Sequence, residues 1–151
     1  MMKRLRSQRH TTTILAFGAW CAACGAPVGP QEVLVEGTEY TFHAPDSLAA
    51  GPTAFAFTNR GRQRHEVKIV GLKAGVTMAQ VQEAAKADLP LGELTEPTSG
   101  ILTAGPGATT PGRILVTLHA GRRYVLVCGF QDTEDAPTHD QLGMVHEIRV
   151  Y

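Results

Sequence analysis

Short runs of alternating apolar and polar residues dominate this chain, and they leave few folds open. Glu32–Glu36 (EVLVE), Glu39–His43 (EYTFH) and Thr53–Thr58 (TAFAFT) have the period of a strand with one buried face. His65–Val70 (HEVKIV), Arg113–Leu118 (RILVTL), Tyr124–Cys128 (YVLVC) and Met144–Tyr151 (MVHEIRVY) bring the set to at least seven strands. Sixteen glycines and nine prolines punctuate them, which suits turns better than a helical bundle. Asp46–Pro52 reads as a turn-rich link, and His119-Ala120-Gly121 as a hairpin turn between its two flanking strands. One segment has the character of a helix, Thr77–Ala87 (TMAQVQEAAKA). Thr77 and Gln80 are spaced as a capping box, with Val76 and Val81 placed to staple its first turn. Asp88–Pro111, rich in Pro, Gly and Thr, reads as a long loop with room for one short strand, and Gly129–Gly143 as a polar loop. The expected class is all-β: a Greek-key two-sheet β-sandwich with one short inserted helix, a closed barrel being the lesser alternative.

The N-terminus has a different composition. Lys3, Arg4, Arg6 and Arg9 precede a short, mostly apolar run, Thr11–Ala23, and no acidic residue occurs before Glu32. Four cations oppose the dipole of any helix they would begin. The apolar run is shorter than the roughly 20 residues that span a bilayer. A basic head, a brief apolar stretch and small residues make 1–23 a secretory signal. Cys21-Ala-Ala-Cys24-Gly resembles a bacterial lipoprotein processing site, which implies lipidation of Cys24 and tethering through the linker 24–31. Cys21 stands where that pattern usually has Leu, so cleavage by an ordinary signal peptidase is the alternative. The Cys-x-x-Cys spacing is a poor redox or zinc motif here, because no second Cys pair exists. Without residues 1–23 the chain keeps ten basic and fourteen acidic residues. That balance argues against a nucleic-acid partner, and any membrane contact is expected only through the lipid at Cys24. The expected location is exported, periplasmic or cell-envelope.

In the domain 32–151, Cys128 is the one remaining cysteine. A lone Cys in an exported domain is a buried hydrophobe, a reactive thiol, an intermolecular link or a metal ligand. Cys128 ends the most apolar strand, His139 lies in the loop that follows, Met144 opens the last strand, and His65 begins an earlier one. Two imidazoles, a thiolate and a thioether suit copper in both oxidation states, as a trigonal His₂Cys site with a weak axial Met. A structural zinc site more commonly uses four strong ligands and no thioether. The late strands that flank the loop are expected to bring its ends together, with His139 folded back over the site.

These residues resemble the cupredoxins, the plastocyanin–azurin superfamily. Thr53–Val70 is similar to the N-x-G-x-x-x-H segment, with Asn59, Gly61 and His65. Gly121–Val150 is similar to the Y-x-x-x-C…H…G-M segment, with Tyr124, Cys128, His139 and Gly143-Met144. The resemblance covers about residues 31–151. It implies one type 1 copper site with ligands His65, Cys128, His139 and Met144, and His139 as an exposed edge for electron passage. Ten residues separate Cys128 from His139, whereas small cupredoxins usually have two to four. Asn59 is expected to form a turn, and it is a candidate to steady the loop that presents His65. Of the other histidines, His43 reads as structural, His119 as exposed, and His146 as an accessory ligand at most.

The implied function is an exported blue copper protein carrying single electrons between redox partners. The alternatives are a copper carrier or donor and a metal-free cupredoxin-like interaction domain. Asp132, Glu134, Asp135 and Asp140 make the late loop acidic, while Arg60, Arg62 and Arg64 make the early one basic. Those loops read either as two solvated loops, free to pair weakly with each other, or as a docking surface for a redox partner. No enzyme is expected: the chain has no G-x-S-x-G, P-loop or H-E-x-x-H motif, and a single domain offers no second copper set.

Overall fold

The computed structural model describes residues 29–151. The expected signal 1–23, the lipidation residue Cys24 and most of the linker lie outside the described residues. Nine strands form two sheets: β1 (Gln31–Thr38), β2 (Thr41–His43), β3 (Ser47–Leu48), β4 (Gly51–Asn59), β5 (His65–Gly71), β6 (Gly100–Ala104), β7 (Ile114–Leu118), β8 (Arg123–Val127) and β9 (Val145–Val150). One sheet has the order β2-β1-β4-β7 and the other β3-β9-β8-β5-β6. Both are mixed, because β1 runs parallel to β4 and β3 parallel to β9. The two sheets stay open rather than closing into a barrel, as expected for a sandwich.

The core lies between them. Val33 and Val35 of β1 and Phe55 and Phe57 of β4 meet Val67 and Ile69 of β5, Leu126 of β8 and Ile148 of β9. The alternation read in β1 therefore marks its inward face. β5 and β8 read as nearly continuous apolar runs because both of their faces are covered. Val70, Leu72, Val125 and Val127 pack on the outer face with Val81 of α1 (Met78–Lys86). The helix begins as its sequence predicts. The Thr77 side chain accepts the Gln80 N–H, and the Gln80 side chain accepts the Thr77 N–H.

The region 88–111 holds one short strand, β6, as expected, together with a 3₁₀ turn, Leu91–Glu93. Two expectations need correction. The link Asp46–Pro52 contains the two-residue strand β3 and the start of β4. His119–Gly121 is no hairpin: β7 pairs with β4 and β8 with β5 and β9, so the turn carries the chain from one sheet to the other. A crossing and a hairpin need the same local bend, here with Gly121 at φ 75°.

Candidate metal centre

His65 and Cys128 occupy inward-facing positions at one end of the five-stranded sheet. His65 shares the parity of Val67 and Ile69 on β5, and Cys128 follows Tyr124 and Leu126 of β8. The two strands pair antiparallel, with Lys68 opposite Val127, which sets these residues side by side. The Glu66 N–H points at Cys128 Sγ across 3.4 Å.

The third residue arrives from the late loop. β8 and β9 pair directly, Val127 opposite Val145, so the two ends of the loop meet. The Asp140 N–H donates to the Cys128 carbonyl at 2.9 Å and the His139 N–H to that of Phe130 at 2.7 Å. The Met144 N–H donates to the His139 carbonyl at 2.8 Å. His139 is thereby held beside Phe130 even though eight residues separate them. Those eight residues make an excursion closed by a bridge between Gln131 and Thr138. Inside it, Gln131 Nε2 donates to the carbonyls of Thr133 at 3.0 Å and Glu134 at 2.7 Å. The extra length is folded on itself and does not displace the histidine.

His65 Nδ1 and His139 Nδ1 are 3.0 Å apart, Cys128 Sγ is 3.3 Å from the latter and 3.9 Å from the former, and all three residues are fully buried. A point equidistant from the three atoms lies about 2.0 Å from each, within the range of metal–ligand bonds of about 2.0–2.3 Å. The donor set therefore fits a single metal ion in both chemistry and size. Met144 is also fully buried, packed in the core beside the site. Gly37 leaves room for it: a Cβ there would stand 3.2 Å from the Met144 methyl and 3.0 Å from the Phe57 ring.

Burial governs the protons. It pushes the Cys128 thiol up to about 11, although N–H groups of Glu66 and Phe130 pull the other way. Burial, then the neighbouring His139, lowers the pKa of His65. His65 Nε2 is the one buried side-chain nitrogen or oxygen without a hydrogen-bond partner among the described residues. The N-x-G turn presses close to it: a Cβ on Gly61 would lie 3.0 Å from this atom and 2.6 Å from Glu39 Oε1.

Asn59 fulfils its turn role and ties the loop to the sheet. Its Oδ1 accepts the Gly61 N–H at 2.8 Å, while Nδ2 donates to the carbonyls of Gln63 at 2.7 Å and Ala104 at 3.0 Å. The other histidines among the described residues stay away from the cluster. His43 and His119 are exposed. His146 shares the parity of Met144 on β9 but reaches the β2–β3 link, its Nε2 3.5 Å from Asp46 Oδ1.

His139 is not the exposed edge that its loop position predicts. Its ring is fully buried, the Tyr40 ring packs against it with centroids 5.0 Å apart, and Asp132 Oδ1 is 3.0 Å from Nε2. The oppositely charged loops do not bridge each other either: Arg60 pairs with Glu36 at 2.8 Å, and Arg64 lies 5.0 Å over the Phe130 ring. Tyr40 and Asp132 are the residues that sequence reasoning missed. Nothing in the spacing joins two residues 92 positions apart.

Auracyanin from the photosynthetic bacterium Roseiflexus castenholzii, in its dithionite-reduced form, matches this structure with a TM-score of 0.52 and 20% identity, covering 82% of this chain and 99% of that one. Auracyanin B gives a TM-score of 0.50 at 21% identity, covering 83% and 92%. The chain has the cupredoxin fold. No family model matches the sequence, and no curated protein does. Within this cupredoxin fold, the His-Cys-His cluster sits where an early strand and the late loop converge, and the excursion 131–138 supplies the carboxylate that covers it.

Proposed function

We propose that this cupredoxin domain is an exported carrier of single electrons with one type 1 copper ion. The residues that would hold it are Cys128 through Sγ and His65 and His139 through Nδ1, with the Met144 thioether as a weaker fourth donor. The observation that carries this reading is the buried triangle of one sulfur and two imidazole nitrogens. Soft sulfur donors beside imidazole favour copper over magnesium or calcium, and the thioether argues against structural zinc. Bound copper would supply the one-electron couple between Cu(I) and Cu(II).

The chain's own part is to hold the donors and keep water out. β5 and β8 fix His65 and Cys128 through sheet hydrogen bonds, and the late loop fixes His139 through three backbone hydrogen bonds to its neighbours. A rigid, dry set of donors limits rearrangement between oxidation states. Cys128 would hold the ion as its thiolate, with the thiol proton given up to solvent, and the Glu66 N–H faces Sγ.

Residues 1–23 would direct export, and Cys24 would anchor the domain. Among the described residues no helix is long and apolar enough to cross a membrane. A redox protein is the expected partner.

Adding Cu(II) to the purified protein is expected to give an intense visible charge-transfer band and a reversible one-electron wave in voltammetry. No band, or a band that survives in Cys128→Ser, would defeat the proposal. Cu(I) retention without a reversible couple would mark a copper carrier instead. A melting temperature indifferent to copper would mark a metal-free interaction domain, because a ligand that binds only the folded state must stabilise it.

A further inference from the structure

The covering of His139 has a chemical consequence. Asp132 Oδ1 lies 3.0 Å from His139 Nε2, and the Tyr40 hydroxyl donates to Asp132 Oδ2 at 2.6 Å. A carboxylate accepts hydrogen bonds, and with the Tyr40 hydroxyl donating to Oδ2 the oxygen that faces His139 Nε2 is the acceptor Oδ1. His139 must then donate from Nε2. A neutral imidazole carrying its proton on Nε2 has a free lone pair on Nδ1, the atom that faces Cys128 Sγ and His65 Nδ1. The Tyr40 ring, tilted 58° to the imidazole with centroids 5.0 Å apart, restricts rotation of its plane.

We propose that Asp132, held by Tyr40, is a positioning residue that locks His139 in the Nε2–H tautomer and aims Nδ1 at the metal centre. The inference rests on the copper-site reading for its consequence, but the proton placement belongs to the metal-free protein. His65 offers the internal contrast, since its Nε2 has no partner and its orientation comes from β5.

Long-range ¹H–¹⁵N correlation spectra of the metal-free full chain test the proton placement directly. His139 is expected as a single Nε2–H tautomer in the wild type and as a mixture in Asp132→Leu. Asp132→Asn keeps an acceptor oxygen and is expected to restore the single tautomer. Copper affinity, measured by competition with a chelator, is expected to fall about 10–100-fold in Asp132→Leu. It should recover to within a few-fold in Asp132→Asn.

A wild-type His139 with its proton on Nδ1 overturns the proposal, and so does an Asp132→Leu protein with unchanged tautomer or unchanged affinity. If Asp132→Leu does not fold, the wild-type tautomer and Tyr40→Phe decide: loss of the Tyr40 hydroxyl should broaden the His139 ring signals, and sharp unchanged signals overturn the role of Tyr40. Failure of the electron-carrier reading looks different, because the tautomer pattern would appear as expected while the copper-loaded protein showed no charge-transfer band.

Discussion

His65 stands at the start of β5, whose register with β6 places it opposite Ala104, and the strand runs between β6 and β8, with Lys68 and Ile69 paired on both sides. His139 stands on a loop, with Asp132 on its outer nitrogen and Tyr40 against its ring. The first imidazole is buried with an unpartnered Nε2, and the second is buried with its Nε2 engaged. A strand fixes a side chain through many backbone hydrogen bonds shared with the whole sheet. A loop has only a few backbone hydrogen bonds for this, and side-chain contacts of its own complete the placement. Damage near His65 should therefore spread to the global fold, while damage near His139 should stay local.

The sharpest way to break this contrast is to weaken β5 itself. Ile69→Ala removes a fully buried side chain from the strand that carries His65, and should lower unfolding free energy in urea by about 2–5 kcal/mol. A loss below about 1 kcal/mol would mean that β5 is not tied to the core.

Cys128 belongs to the sheet-held half, and its proton reports on that side. Its folded pKa of about 11 lies above the ordinary thiol value of 9.0, so the unfolded chain loses the thiol proton first as pH rises. This contribution to the metal-free protein is fully present below about pH 9 and is lost between pH 9 and 11. It amounts to at most about 2–3 kcal/mol, from 1.36 kcal/mol per pKa unit. Urea titrations across that range should show a smaller decline for Cys128→Ala than for the wild type. Parallel declines would show that the thiol is hydrated.

A milder test is Asn59→Ala, which leaves the Gln63 and Ala104 carbonyls and the Gly61 N–H without their side-chain partner. It should cost about 1–3 kcal/mol by thermal unfolding. The change should be accompanied by faster amide exchange in 59–65, on the His65 side alone.

The smallest global effect is expected from Gln131→Ala. Its side chain closes the exposed excursion 131–138, so stability should change by less than about 1 kcal/mol. Amide exchange in that segment should accelerate while β5 is unaffected. A large loss of stability would erase the distinction between the two histidines.

The legible parts of the molecule share this division. Alternation in Gln31–Thr38 reports one buried face, and the apolar run of Arg123–Val127 reports two, each repeated along several neighbouring residues. They therefore revealed the strands and the order of His65, Cys128, His139 and Met144. Thr77 and Gln80 announced the helix because capping is local. β3 has two residues and no period to detect. The passage from β7 to β8 between sheets uses a bend that a hairpin would also use. The burial of His139 was illegible for another reason: it depends on Tyr40, which sits at φ 57° in the β1–β2 turn and touches the late loop only after both sheets have formed.

The self-closed segment between Phe130 and His139 separates the length of the loop from the placement of its ligand. The stretch from Thr133 to Pro137 makes none of the contacts to His139, and a foreign peptide inserted between Glu134 and Asp135 would be displayed next to the His65–Cys128–His139 cluster without altering its donor atoms. Such an addressable port would let a new binding segment be exchanged as a cassette, and on the proposed copper reading the colour of the loaded domain would report that the cluster beneath had stayed intact.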